Sequence, residues 1–80
     1  MEFEKYVFGT FLNGWGIAKY TDGEEVRIVA EHSDYDNNGE MTFDSEEAYE
    51  AWIDEIVDDE TAIYNKAQAV NLVLKALRDE

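Results

Sequence analysis

The first residues that could do chemistry lie in the stretch DYDNNGEMTFDSE, residues 34 to 46, whose opening half has the D-x-D-x-N-G layout of a helix-flanked calcium loop. Such a loop takes oxygen ligands at positions 1, 3, 5, 7, 9 and 12, turns at a glycine in position 6 and closes on a bidentate glutamate at position 12. Asp34, Asp36, Asn38 and Gly39 fit, but position 12 is Ser45, and Glu46 comes one residue late. Asp, Asn and Gly are also what turns are made of. The stretch therefore reads as a turn between two strands, and no metal site is expected.

Catalytic groups are scarce. His32 is the single histidine and the chain has no cysteine, so neither a thiol nucleophile nor a thiolate zinc site is available. Carboxylate pairs recur throughout so acidic a chain and carry no information by themselves. Nor is there a second domain to close over and desolvate them. Gly9, Gly14, Gly16, Gly23 and Gly39 lack a phosphate-cradling spacing. An enzyme is not expected, and neither is a cofactor.

Charge dominates the composition: 20 acidic against 6 basic residues give −14, divided −6 over residues 1–40 and −8 over residues 41–80. Such a chain is repelled by nucleic acid and anionic membranes and attracted to basic protein surfaces. With 45% hydrophobic and 14% aromatic residues it has a core to bury, so it folds as one domain, residues 1–80, expected to be a monomer. No apolar run approaches a membrane span, and MEFEKY lacks the layout of a signal peptide.

Four stretches rich in β-branched and aromatic residues read as strands: residues 3–9, 15–20, 26–32 and 40–43. Asp22-Gly23 predicts a two-residue type I′ hairpin turn, which sets Tyr20 opposite Glu25, Ala18 opposite Arg27, Ile17 opposite Ile28 and Trp15 opposite Ala30. Trp15, Ile17, Val26, Ile28 and Ala30 then form an apolar face, while Ala18, Tyr20, Glu25, Arg27, Val29 and Glu31 share the other. In the first hairpin a two-residue Asn13-Gly14 turn places Val7 on the face of Tyr20. A three-residue loop from Leu12 to Gly14 places Tyr6 there instead, opposite Tyr20; the apolar excess at Phe11, Leu12 and Trp15 suggests a bulged or longer connection.

After residue 43 the period changes. Ala48, Tyr49, Trp52, Ile53, Ile56 and Val57 mark an amphipathic helix started by Asp44 with Glu47. A second helix, capped by Thr61 or an acid before it, carries Ile63, Ala67, Val70, Leu74 and Leu77. The expected fold is α+β: a four-stranded antiparallel meander with two antiparallel helices on one face, order ββββαα, the other face open to water.

Two surfaces then stand out as binding candidates. Residues 44–60 hold nine acids and no base, with Glu47, Glu50 and Asp54 along one helix stripe. Neighbours on such a stripe are about 5–6 Å apart, close to phosphate spacing, as in a DNA mimic; a solvated helix face explains the same pattern. The open sheet face would show Tyr20, Val29 and Ala18, with Tyr6 and Phe8 under the three-residue loop, ringed by Glu2, Glu4, Glu25 and Glu31. An apolar centre with an acidic rim is the layout of an interface.

Met1, Phe3, Lys5 and Tyr6, then Leu12-Asn13, Ile17-Ala18, Tyr20, Gly23 and Glu31, followed by Phe43-Asp44-Ser45, Glu47, Glu50 and Trp52, resemble in collinear spacing the founding family of type I-F anti-CRISPR proteins. The resemblance covers roughly the first two thirds of the chain. It implies a four-stranded antiparallel sheet with two helices, and a small phage-encoded inhibitor acting in the cytoplasm of a bacterial host. It further implies binding to the backbone subunits of the Csy surveillance complex, which hold the guide RNA, so that target DNA cannot pair with the guide. The family's contact positions correspond here to Tyr6, Tyr20 and Glu31.

Overall fold

The computed structural model describes residues 1–9, 11–34, 39–58, 60 and 64–78. Strands β1 (Glu2–Tyr6), β2 (Trp15–Thr21), β3 (Val26–His32) and β4 (Glu40–Phe43) lie side by side in chain order, all antiparallel. Helices α1 (Glu46–Ile56) and α2 (Lys66–Arg78) follow, giving the expected ββββαα meander of the α+β class. Alternation in β2 and β3 puts Ile17, Val26, Ile28 and Ala30 on one face, where they meet Tyr49 of α1, Val57 at its end, and Val70, Val73, Leu74 and Leu77 of α2. Each Val, Leu or Ile side chain buried in this way contributes about 1.5–3 kcal/mol.

The β2–β3 register differs from the expected one by two residues. Thr21 pairs with Val26 and Trp15 with His32, so Tyr20 lies opposite Arg27 rather than Glu25, Ala18 opposite Val29 and Ile17 opposite Ala30. The connection is a four-residue loop because side chains build it. The Asp22 carboxylate accepts from the N–H groups of Glu24 and Glu25, while the Thr21 hydroxyl donates to the Glu25 carbonyl and accepts from Gly23 N–H. Within this loop only Gly23 has positive φ, whereas a type I′ turn needs two such residues. A shift of two preserves side-chain parity, so the face assignment survives the error in register.

In the first hairpin the two-residue turn forms rather than the three-residue loop, but neither expected pairing follows: Val7 leaves the strand, and Tyr6 stands opposite Ala18 while Phe3 stands opposite Tyr20. Asn13 and Gly14, with φ of 52° and 83°, form a tight two-residue turn closed by reciprocal Leu12–Trp15 hydrogen bonds of 2.9 Å. Below that tip β1 stops at Tyr6, short of the expected residue 9, and Val7–Gly9 make a 3-10 turn. Val7 enters the core and Phe8 packs against it, not on the open face where the sequence had placed it.

The helices also shift in detail. Ser45, not Asp44, caps α1: its hydroxyl accepts from Ala48 N–H at 3.1 Å, satisfying an otherwise unpaired donor. The expected start of the second helix at Thr61, and its Ile63, lie outside the described residues. Asn65 precedes α2, and its side-chain oxygen accepts from Gln68 N–H. Ala67 is exposed because it sits about 90° around the helix from the centre of the buried stripe, which takes Ala69 and Val73 instead. Ala48 on α1 is exposed as well. Of the calcium-loop reading, residues 35–38 lie outside the described residues. Asp34 follows a strand, so no helix enters the loop, and Gly39 is accounted for by packing: a Cβ there would stand 2.3 Å from the Leu77 carbonyl oxygen.

Candidate protein-interaction site

Strand β1 contains the device that builds the open face. Phe3 pairs with Tyr20, but Lys5 pairs with Lys19 and Tyr6 with Ala18, so the register slips by one at Glu4. Glu4 and Lys5 together oppose Lys19, the arrangement of a β-bulge. The extra residue brings Phe3 and Tyr6, an odd number of positions apart, to the same face, which regular alternation forbids.

Lys19 anchors the bulge from the core side. Its side chain is only 2% exposed, its ammonium bonds Glu4 at 2.9 Å and Glu46 at the start of α1, and it sits 4.7 Å from the Tyr49 ring centroid. Burial penalises the ammonium, yet the hydrogen bonds to Glu46 and Glu4 outweigh it and hold Lys19 above the usual lysine range. The bond to Lys19 in turn holds Glu4 below the usual carboxylate range, and burial pushes the Tyr49 phenol up to about 12. Glu4 therefore joins the core-side network and not the rim of the open face where the sequence had placed it.

On the open face four rings form a continuous row. Tyr20 and Phe3 have centroids 5.8 Å apart, Phe3 and Tyr6 5.0 Å, and Tyr6 and Phe11 4.8 Å, all in tilted or edge-to-face contact. Phe3 and Phe11 are about half exposed, at 50% and 52%. Phe11 lies directly on the backbone of β2, where a Cβ at Gly16 would come within 2.2 Å of its ring, so the glycine provides its seat.

Tyr20 and Glu31 are held together. They sit two cross-strand steps apart, Tyr20 opposite Arg27 and Glu31 opposite Gly16, roughly 13 Å along the strands at their usual rise. The Tyr20 hydroxyl nevertheless donates to Glu31 Oε1 at 2.8 Å. Both side chains must therefore lie along the sheet across the Ala18–Val29 pair, and Ala18, expected on an exposed face, is fully buried. The hydrogen bond to Glu31, with burial second, raises the Tyr20 phenol above its ordinary range and keeps it a donor. A shallow concavity of about 400 Å³ lined by Met1, Tyr20, Arg27 and Val29 flanks this pair.

Tyr6, Tyr20 and Glu31 are thus brought to one face and linked through rings and a hydrogen bond. Phe3 and Phe11 were missed as members of this face, and Lys19 as its support. Strand parity already set Lys19 beside Ile17 on the apolar face, a signal that it must be paired; nothing in the local sequence marks the bulge at Glu4. The other candidate surface is also present as a surface, with Glu47, Glu50 and Asp54 of α1 all exposed. Among the described residues, no group of three or more acidic or histidine side chains is placed to hold a metal ion, and no helix is long and apolar enough to cross a membrane. Comparison with protein-family models, with curated proteins and with solved structures finds no match.

Proposed function

We propose that this protein is an anti-CRISPR inhibitor that binds the guide-RNA-holding backbone subunits of a type I-F (Csy) surveillance complex through its open sheet face. Bound there, it prevents target DNA from pairing with the guide. The observation that carries this reading is the union of Tyr6, Tyr20 and Glu31 on one aromatic face, with the Tyr20 hydroxyl bonded to Glu31. A subunit that grips RNA and DNA presents lysines and arginines, and a chain of charge −14 is steered towards them. The ring row supplies a desolvated anchor, and the oriented carboxylate supplies a charge-assisted hydrogen bond to a basic side chain. Because Tyr20 and Glu31 are ordered before binding, little rotamer entropy is lost on contact. The action is steric and electrostatic blocking; no bond is made or broken.

The competing reading, an acidic DNA mimic directed at a restriction enzyme or another DNA-binding protein, would work through Glu47, Glu50 and Asp54. The two separate in a direct binding measurement on purified Csy complex. Tyr20→Ala should weaken binding by about 2 kcal/mol or more, the loss typical of an aromatic hot spot, roughly 30-fold in Kd. The triple variant Glu47→Gln/Glu50→Gln/Asp54→Asn should change it far less. The reverse ranking, or no binding by the wild-type chain, would reject the sheet-face reading.

A further inference from the structure

At the Asn13-Gly14 end of the sheet a notch of about 250 Å³ is lined by Tyr6, Phe11, Gly14, Glu31, His32 and Ser33. Its chemistry is specific. Two tilted rings, Tyr6 and Phe11, meet at 4.8 Å and form an aromatic wall, and Phe11 remains half exposed. Glu31 supplies a carboxylate whose Oε1 is already fixed by the Tyr20 hydroxyl, which sets the direction of the other oxygen.

Both ring nitrogens of His32 are in contact with backbone groups. Its Nδ1 accepts from Asp34 N–H at 2.9 Å, and its Nε2 lies 3.0 Å from the Asn13 carbonyl, to which it must donate. The notch combines π faces with one negative charge on a chain of −14. We propose that it receives a single arginine side chain of the partner surface, the guanidinium stacked on the Tyr6–Phe11 wall and donating to Glu31. Flat ring walls beside a carboxylate favour the planar, weakly hydrated guanidinium over the compact ammonium of lysine. The partner's identity rests on the function proposed above; the side-chain chemistry rests on the notch alone.

The test titrates N-acetyl-arginine amide, and its lysine counterpart, into the isotope-labelled full chain while amide and side-chain NMR shifts are followed. Saturable shifts confined to Tyr6, Phe11, Glu31 and His32, stronger for arginine, are expected. Glu31→Gln and the volume-preserving Phe11→Leu should each weaken them several-fold, with the remaining spectrum confirming that the variants fold. Shifts spread over the acidic surface with equal response to lysine, or unchanged in both variants, would overturn the assignment. With the Csy complex, Phe11→Leu should weaken binding roughly tenfold; wild-type affinity in that variant would also overturn it. If the wild-type chain binds no Csy complex, the function proposed above fails, while the amino-acid titration still decides the notch.

Discussion

Tyr20 and Glu31 behave as one unit, because the phenol donates to the carboxylate and each side chain fixes the other along the sheet. The hydrogen bond is the leading cause of the raised Tyr20 titration, so Glu31→Gln should move that titration down towards the ordinary tyrosine value. Phenolate absorbance during an alkaline titration, with Tyr20→Phe to identify the component, checks this; an unchanged curve would show that the pair does not persist in solution. Lys19 and Glu4 give a second prediction at this scale. Glu4 is held below its ordinary value of 4.5, so its contribution to stability is complete above about pH 4.5 and lost as pH falls through the lower, folded-state value. Lys19 is raised above 10.5, so its contribution is complete below that pH and lost as pH rises through its folded-state value. Thermal melts across pH should therefore show a plateau between these limits, and Glu4→Gln should flatten the acid side. A variant melting in parallel with wild type at every pH would contradict the network. Strand parity made the placing of Tyr20, Glu31 and Lys19 legible in the sequence; the partners of Lys19 were not, since Glu4 sits in a bulge and Glu46 on a helix 27 residues away.

Elements owe their legibility to different causes. Strands β2 and β3 were readable because Ile17, Val26, Ile28 and Ala30 alternate cleanly, and the face assignment withstood a register error of two. Strand β1 was not, because a one-residue bulge exchanges faces, and the position of a bulge is decided by what packs above and below it. Phe3 took the place given to Phe8 for that reason. The helix start was nearly readable: Asp44 and Ser45 are both capping residues, and the backbone selects Ser45, which is extended at φ −154° and ψ 162°. Ser45→Ala should cost about 1 kcal/mol, a fall of roughly 4–8 °C in Tm for a domain of this size. Asp44→Ala should leave Tm nearly unchanged. A melting comparison that reverses this order would restore the cap to Asp44.

At the scale of the whole molecule, the charge of −14 opposes compaction and promotes encounter with basic surfaces. Adding salt to the free protein should raise Tm by screening self-repulsion, while slowing association with a basic partner. A Tm that falls with salt would mean that the few ion pairs outweigh the repulsion. Sequence composition predicts this field well, but only the fold decides which part of the surface carries an apolar centre within it. That part is the row Tyr20, Phe3, Tyr6 and Phe11. The most direct test of the central claim is an electrophoretic assay of target-DNA binding by guide-loaded Csy complex. With wild-type protein added first, the DNA should no longer bind, and with Tyr20→Ala it should bind nearly as it does without inhibitor. Unimpeded DNA binding in the presence of wild-type protein, or full inhibition by Tyr20→Ala, would contradict the account.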